Sequence, residues 1–66
     1  MKNNLEAILK EQGRMKGWLA QKANVRPNTI TELIKGAEPK LKTAYRIAKP
    51  LGKSVYDIWP DVEEES

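Results

Sequence analysis

Apolar residues recur along this chain at helical spacing, and no segment alternates apolar with polar residues as a half-buried strand would. Leu5, Ile8 and Leu9 fall at i, i+3 and i+4, predicting a helix over about residues 3–12 that Gly13 ends in a left-handed cap. Leu19, Ala20 and Ala23 predict a second helix over about 15–23, weakened by roughly 1 kcal/mol at Gly17. A third runs over about 27–35. It opens on Pro27, whose missing N–H would have no partner in a first turn, carries Ile30, Leu33 and Ile34 inward, and closes at Gly36. Leu41, Ala44, Tyr45, Ile47, Ala48 and Leu51 form the apolar set of a fourth helix over about 41–49, which Pro50 is expected to end or kink. Ser54, with Asp57 three residues on, caps a fifth over about 54–59, with Val55, Ile58 and Trp59 inward. Residues 1–60 read as one all-α domain, and residues 61–66 as an acidic, disordered tail.

The middle of this pattern is the most specific. From Trp18 to Gly36 two short helices are joined by a tight turn at Ala23-Asn24-Val25. That is a helix-turn-helix, whose second helix can enter the DNA major groove.

Composition narrows the function. With no cysteine and no histidine, there is no disulfide framework and no thiolate or imidazole metal site. The commonest acid–base catalyst is missing too. No nucleophile–base set or phosphate-binding loop is present, so an enzyme is not expected, and no cofactor or small-molecule ligand is implied. No apolar run reaches membrane-span length, and the N-terminus is too charged for a signal peptide, which points to a cytoplasmic protein without a membrane partner. The net charge is +3. All 12 Lys and Arg precede residue 54, whereas Asp61, Glu63, Glu64 and Glu65 crowd the last six positions. Residues 1–60 therefore carry +7, from 12 cations and 5 acids. A basic body suits a polyanionic partner; ordinary solubilising charge is the bland alternative.

In register, Leu5, Ile8, Gly13, Leu19-Ala20, Ala23, Val25, Thr29-Ile30, Leu33, Gly36, Pro39, Leu41, Ile47-Ala48, Leu51-Gly52, Ser54-Val55 and Ile58 resemble the Cro/C1-type (XRE-type) helix-turn-helix regulators of phages and bacteria. The resemblance spans about residues 4–59. It implies a compact five-helix lambda-repressor-like domain in which helices 2 and 3 form the helix-turn-helix. Four features depart from it. Met15 and Arg26 stand where polar caps are usual before helices 2 and 3, and Pro50 replaces a usual Ala. Leu9 and Ile34 occupy positions where many relatives bury an Arg–Glu pair. Such a swap to apolar residues is often neutral or stabilising, so Leu9 and Ile34 are expected to touch.

With Ile30, Leu33 and Ile34 inward, helix 3 turns out Pro27, Asn28, Thr31, Glu32 and Lys35. Asn28 can pair bidentately with adenine, Thr31 can meet a thymine methyl, and Pro27 offers apolar contact. Glu32 can accept from cytosine, or turn away and pair with Lys35 or Lys16. The resemblance implies base contact at the positions of Pro27, Asn28 and Glu32. Lys16, Arg26, Lys35, Lys40 and Lys42, clustered near helix ends, are candidate phosphate contacts. Lys2, Lys10, Lys22, Arg46, Lys49 and Lys53 fit solvated surface charge better. The four aromatics, Trp18, Tyr45, Tyr56 and Trp59, suit packing more than base stacking, with Tyr56 and Trp59 expected at a two-fold contact.

The expected function is that of a double-stranded-DNA-binding transcriptional regulator, a homodimeric repressor on a palindromic operator. With no sensing domain in view, control would fall to concentration, degradation or a separate regulatory protein. The alternative is a protein-interaction module, antitoxin-like or scaffolding, with weak or lost DNA specificity.

Overall fold

A computed structural model describes residues 1–62. Five helices follow in order: α1 (Leu5–Gln12), α2 (Lys16–Ala23), α3 (Pro27–Ile34), α4 (Leu41–Leu51) and α5 (Val55–Ile58). Their inward stripes meet in one cluster. Leu5, Leu19, Ile30, Ile47, Ile58 and Trp59 are its largest fully enclosed side chains, and no polar or charged residue is buried among them. Helix α2 packs against both α3 and α4, and α4 against α5. Ala20 is only 3% exposed where α2 meets its neighbours, and Val25 packs half-buried on the cluster below the turn. Leu9 is buried and Ile34 half-buried against the same core, so both positions are apolar interior.

Four helices end in the same way. Beyond α1, α2, α3 and α4 a pair of backbone N–H groups turns back onto the last carbonyls: Gly13 to Lys10 and Arg14 to Leu9, Asn24 to Gln21 and Val25 to Ala20, Gly36 to Leu33 and Ala37 to Glu32, Gly52 to Lys49 and Lys53 to Ala48. The motif needs positive φ at its first residue. Asn24 supplies φ 58° in the turn of the helix-turn-helix without being glycine, which asparagine tolerates better than most residues. Gly36 has φ 118°, where any side chain would be strained.

Five expectations are corrected. Helix α4 does not stop at Pro50 but runs through it to Leu51. Pro50 leaves the Arg46 carbonyl without its helical donor, but Arg46 is exposed, and burial of Leu51 together with the closing bonds at Gly52 and Lys53 holds the last turn. Leu41 and Tyr45 are not inward: they are 53% and 55% exposed, because Ala44, Ile47, Ala48 and Leu51 already fill the α4 stripe. Trp59 is 0% exposed inside the protomer and is unavailable to a second copy. Its indole N–H is enclosed with no hydrogen-bond partner among the described residues. Residues 3 and 4 lie outside α1, whose first residue is Leu5. Finally, Asp61 and Val62 are not tail: a turn at Pro60-Asp61 brings the Val62 N–H to the Trp59 carbonyl at 3.1 Å, and the Val62 side chain packs on the core. The rest of the expected tail, 63–66, lies outside the described residues.

Candidate nucleic-acid interface

Helix α3 buries Ile30 and Leu33 completely or nearly so, and this fixes its roll. Pro27, Asn28, Glu32 and Lys35 are consequently exposed, and Thr31 is half-buried. The outward stripe is therefore the one expected, with one refinement. The Thr31 hydroxyl donates weakly, at 3.4 Å, to the Pro27 carbonyl one turn back. That bond holds the oxygen against the helix and leaves its lone pairs and methyl for a neighbour. Among the described residues no ion pair engages Glu32, with Lys35, Lys16 or any other cation.

All five candidate phosphate ligands, Lys16, Arg26, Lys35, Lys40 and Lys42, are exposed. Lys40 shares a surface groove of 300 Å³ with Thr29 and Glu32, so the start of α4 adjoins the outer side of α3. Lys16 lies in a different groove, of 440 Å³, with Glu6, Lys10 and Arg14. The Arg14 guanidinium sits 4.3 Å from the Trp18 ring centroid, a cation–π contact that covers part of this half-buried indole.

The helix starts differ in a way that bears on anion binding. Met15, Arg26 and Lys40 precede α2, α3 and α4 in extended backbone, and none of these side chains caps the first turn. No acid lies in any of the three first turns. The first turns of α2 and α4 therefore leave N–H groups open, whereas α3 leaves that of Asn28, since Pro27 has none and the Thr29 N–H donates to the Arg26 carbonyl at 2.9 Å. Each start sets the positive end of its helix dipole beside a cation: Lys16, Arg26, or Lys40 with Lys42. Methionine, arginine and lysine have no acceptor suited to a cap, so sequence alone dictates this.

One grouping was invisible in the sequence. Lys22, Arg46 and Lys49, read there as scattered surface charges, line a common groove of 400 Å³ between the end of α2 and α4. They are 24 and 27 positions apart in sequence, and only the packing of α2 on α4 unites them.

Comparison with known proteins agrees with this architecture. No curated protein matches the chain. A helix-turn-helix family model, that of the Cro/C1-type regulators, matches residues 5–58, from the first residue of α1 to the last of α5. The protein thus belongs to the Cro/C1-type helix-turn-helix family, a family of DNA-binding regulators.

Proposed function

We propose that the protein is a sequence-specific transcriptional repressor acting in the cytoplasm of a bacterium, whether phage- or host-encoded. In this reading α3 lies in the major groove of double-stranded DNA, with Pro27, Asn28, Thr31 and Glu32 at base edges. Lys16, Arg26, Lys35, Lys40 and Lys42 hold the flanking phosphates. The observation that carries it is the set of three uncapped, acid-free helix starts, each beside a cation, with one of them opening a helix that turns Asn28, Glu32 and Lys35 out to solvent. One such domain reads only a few base pairs, so a homodimer on a palindrome completes the site, with half-sites about 34 Å apart. Tyr56, 48% exposed on α5, is the residue left for that two-fold contact once Trp59 is assigned to the core.

Selection of bound duplexes from a random pool tests this directly. The expected product is a palindrome with half-sites one helical turn apart, and Asn28→Ala should relax preference at one position per half-site, by about 1–3 kcal/mol. A second reading is favoured by Tyr45 and Tyr56, both about half exposed and both lining a groove of 370 Å³ between α4 and α5. There the protein is an interaction module whose DNA binding is weak. Equal affinity for selected and random duplexes would decide for that second reading.

A further inference from the structure

Two of the four residues before α1, Met1 and Asn3, bond to the far end of α3 and the residues just beyond it. Helix α3 packs mainly on α2. Further support comes from chain 30 positions away. The Asn3 side-chain amide donates to the Leu33 carbonyl in the last turn of α3, at 2.7 Å, while its oxygen accepts from the Leu5 N–H at the start of α1, at 3.0 Å. The partners fix which end of the amide is which, since a carbonyl can only accept and an N–H only donate. The Met1 amino group also donates to the Gly36 carbonyl. Next to it, the Asn4 N–H reaches the Ile58 carbonyl at 2.8 Å and the Asn4 amide the Asp57 carbonyl at 3.0 Å, tying the same segment to the end of α5.

We infer that Asn3 is a positioning residue for DNA readout: its carboxamide bridges the first turn of α1 and the last turn of α3, and so sets the angle at which Asn28, Thr31 and Glu32 meet the groove. The inference rests on the proposed reading of DNA by α3. Glu32 and Leu33 adjoin in the chain, so a carbonyl held at Leu33 constrains the backbone that carries the reading face. Asn3 is half-buried, whereas Lys2 and Asn4 beside it are exposed, which separates the bond from the fraying expected of a chain end. A base-reading amide tolerates little displacement, because its two hydrogen bonds must form together. Phosphate contacts by long lysine side chains tolerate much more. Loss of the bridge should therefore lower specific binding and spare non-specific binding.

The test compares the full chain with Asn3→Ser and Asn3→Ala. Serine still offers an oxygen to the Leu5 N–H but is one atom too short for the Leu33 carbonyl, and it adds no charge. Affinity is measured for the duplex selected by the wild-type protein and for a random-sequence duplex of equal length. Hydrogen exchange at Gly36 and Ala37 is followed without DNA. In Asn3→Ser the ratio of selected to random affinity should fall by roughly tenfold, the scale of one misaligned base contact, at unchanged salt dependence. Exchange at Gly36 and Ala37 should quicken while α1 stays protected. Asn3→Ala should lose the same ratio and be less stable besides. Variants that keep the wild-type ratio overturn the role of Asn3 and leave the DNA reading intact. A wild-type ratio near one overturns the DNA reading, and with it any need for positioning. Equal losses on both duplexes would mark Asn3 as merely structural.

Discussion

The start of α5 is closed by a full capping box and that of α1 is partly satisfied by Asn3, whereas those of α2, α3 and α4 receive no side-chain cap. At α1, Asn3 occupies the Leu5 N–H and Glu6 lies in the first turn. At α5, the Ser54 hydroxyl accepts from the Asp57 N–H while the Asp57 carboxylate accepts from the Ser54 N–H, closing a reciprocal box. Arg26, Met15 and Lys40 do nothing comparable for the other three. An uncapped start forgoes about 1 kcal/mol. A domain of this size has a net stability of only a few kcal/mol, so three such omissions are a substantial concession. The difference teaches that side-chain acceptors are supplied, fully or in part, at two helix starts and left out at the three beside which the candidate phosphate ligands stand.

That contrast can be broken most forcefully at Arg26. In Arg26→Asp a carboxylate would cap α3 and complement its dipole, so thermal stability should rise by about 1 kcal/mol. The same change removes a cation from the proposed DNA face and adds an anion. DNA affinity should then fall by one to two orders of magnitude, with a shallower salt dependence, as measured by titration at several salt concentrations. Opposite signs in the two measurements support the open start as a binding feature. A gain in stability without loss of affinity would reduce it to an uncorrected defect.

The complementary change is Ser54→Ala, which dismantles the finished start of α5. About 1 kcal/mol of stability should be lost, lowering the melting temperature by roughly 4–8 °C, with DNA affinity unaltered in the folded protein. A smaller effect is expected at Gly17, in the first turn of α2. A methyl group there would meet nothing within 4 Å, so Gly17→Ala should gain about 0.5 kcal/mol in unfolding experiments. If a phosphate approaches that turn, the variant should nevertheless bind DNA more weakly. Unchanged binding would place the start of α2 away from the duplex.

Much of this could be read from residue order, because it is local. The inward stripe of α3 set its outward stripe, and Ser54 with Asp57 announced their box. The family followed from many weak matches in register. The errors were tertiary. Tyr45 and Leu41 look inward by spacing, but the stripe centred on Ala44, Ile47, Ala48 and Leu51 was already full. Pro50 reads as a helix breaker until Leu51 is seen to be buried beyond it. Trp59 suits both the core and a dimer contact by sequence, and only packing separates the two. Asn3 carries no local signal at all, since its partner at Leu33 lies 30 positions on.

The finest probe of the comparison is the charge on Asp57. Hydrogen bonding to the Ser54 backbone and then to its side chain holds this carboxyl below its ordinary value; desolvation opposes them, and the nearby Lys53 adds the least. A group so depressed stabilises the folded state at pH values above its unfolded pKa, and that contribution disappears as pH falls through the folded one, below about 4. Asp57→Asn keeps an oxygen for the Ser54 N–H but can never ionise. The wild-type protein should therefore melt higher than the variant at pH 7, and the gap should shrink as pH falls below about 4 and close once the carboxyl is protonated in the folded state as well. The carboxylate is fully exposed, so the gap should also narrow with added salt. If it instead stays constant as pH falls through the acid range, the cap of α5 depends on geometry and not on charge. The contrast between finished and open helix starts would then concern hydrogen bonds alone, and the cations beside α2, α3 and α4 would need a separate explanation.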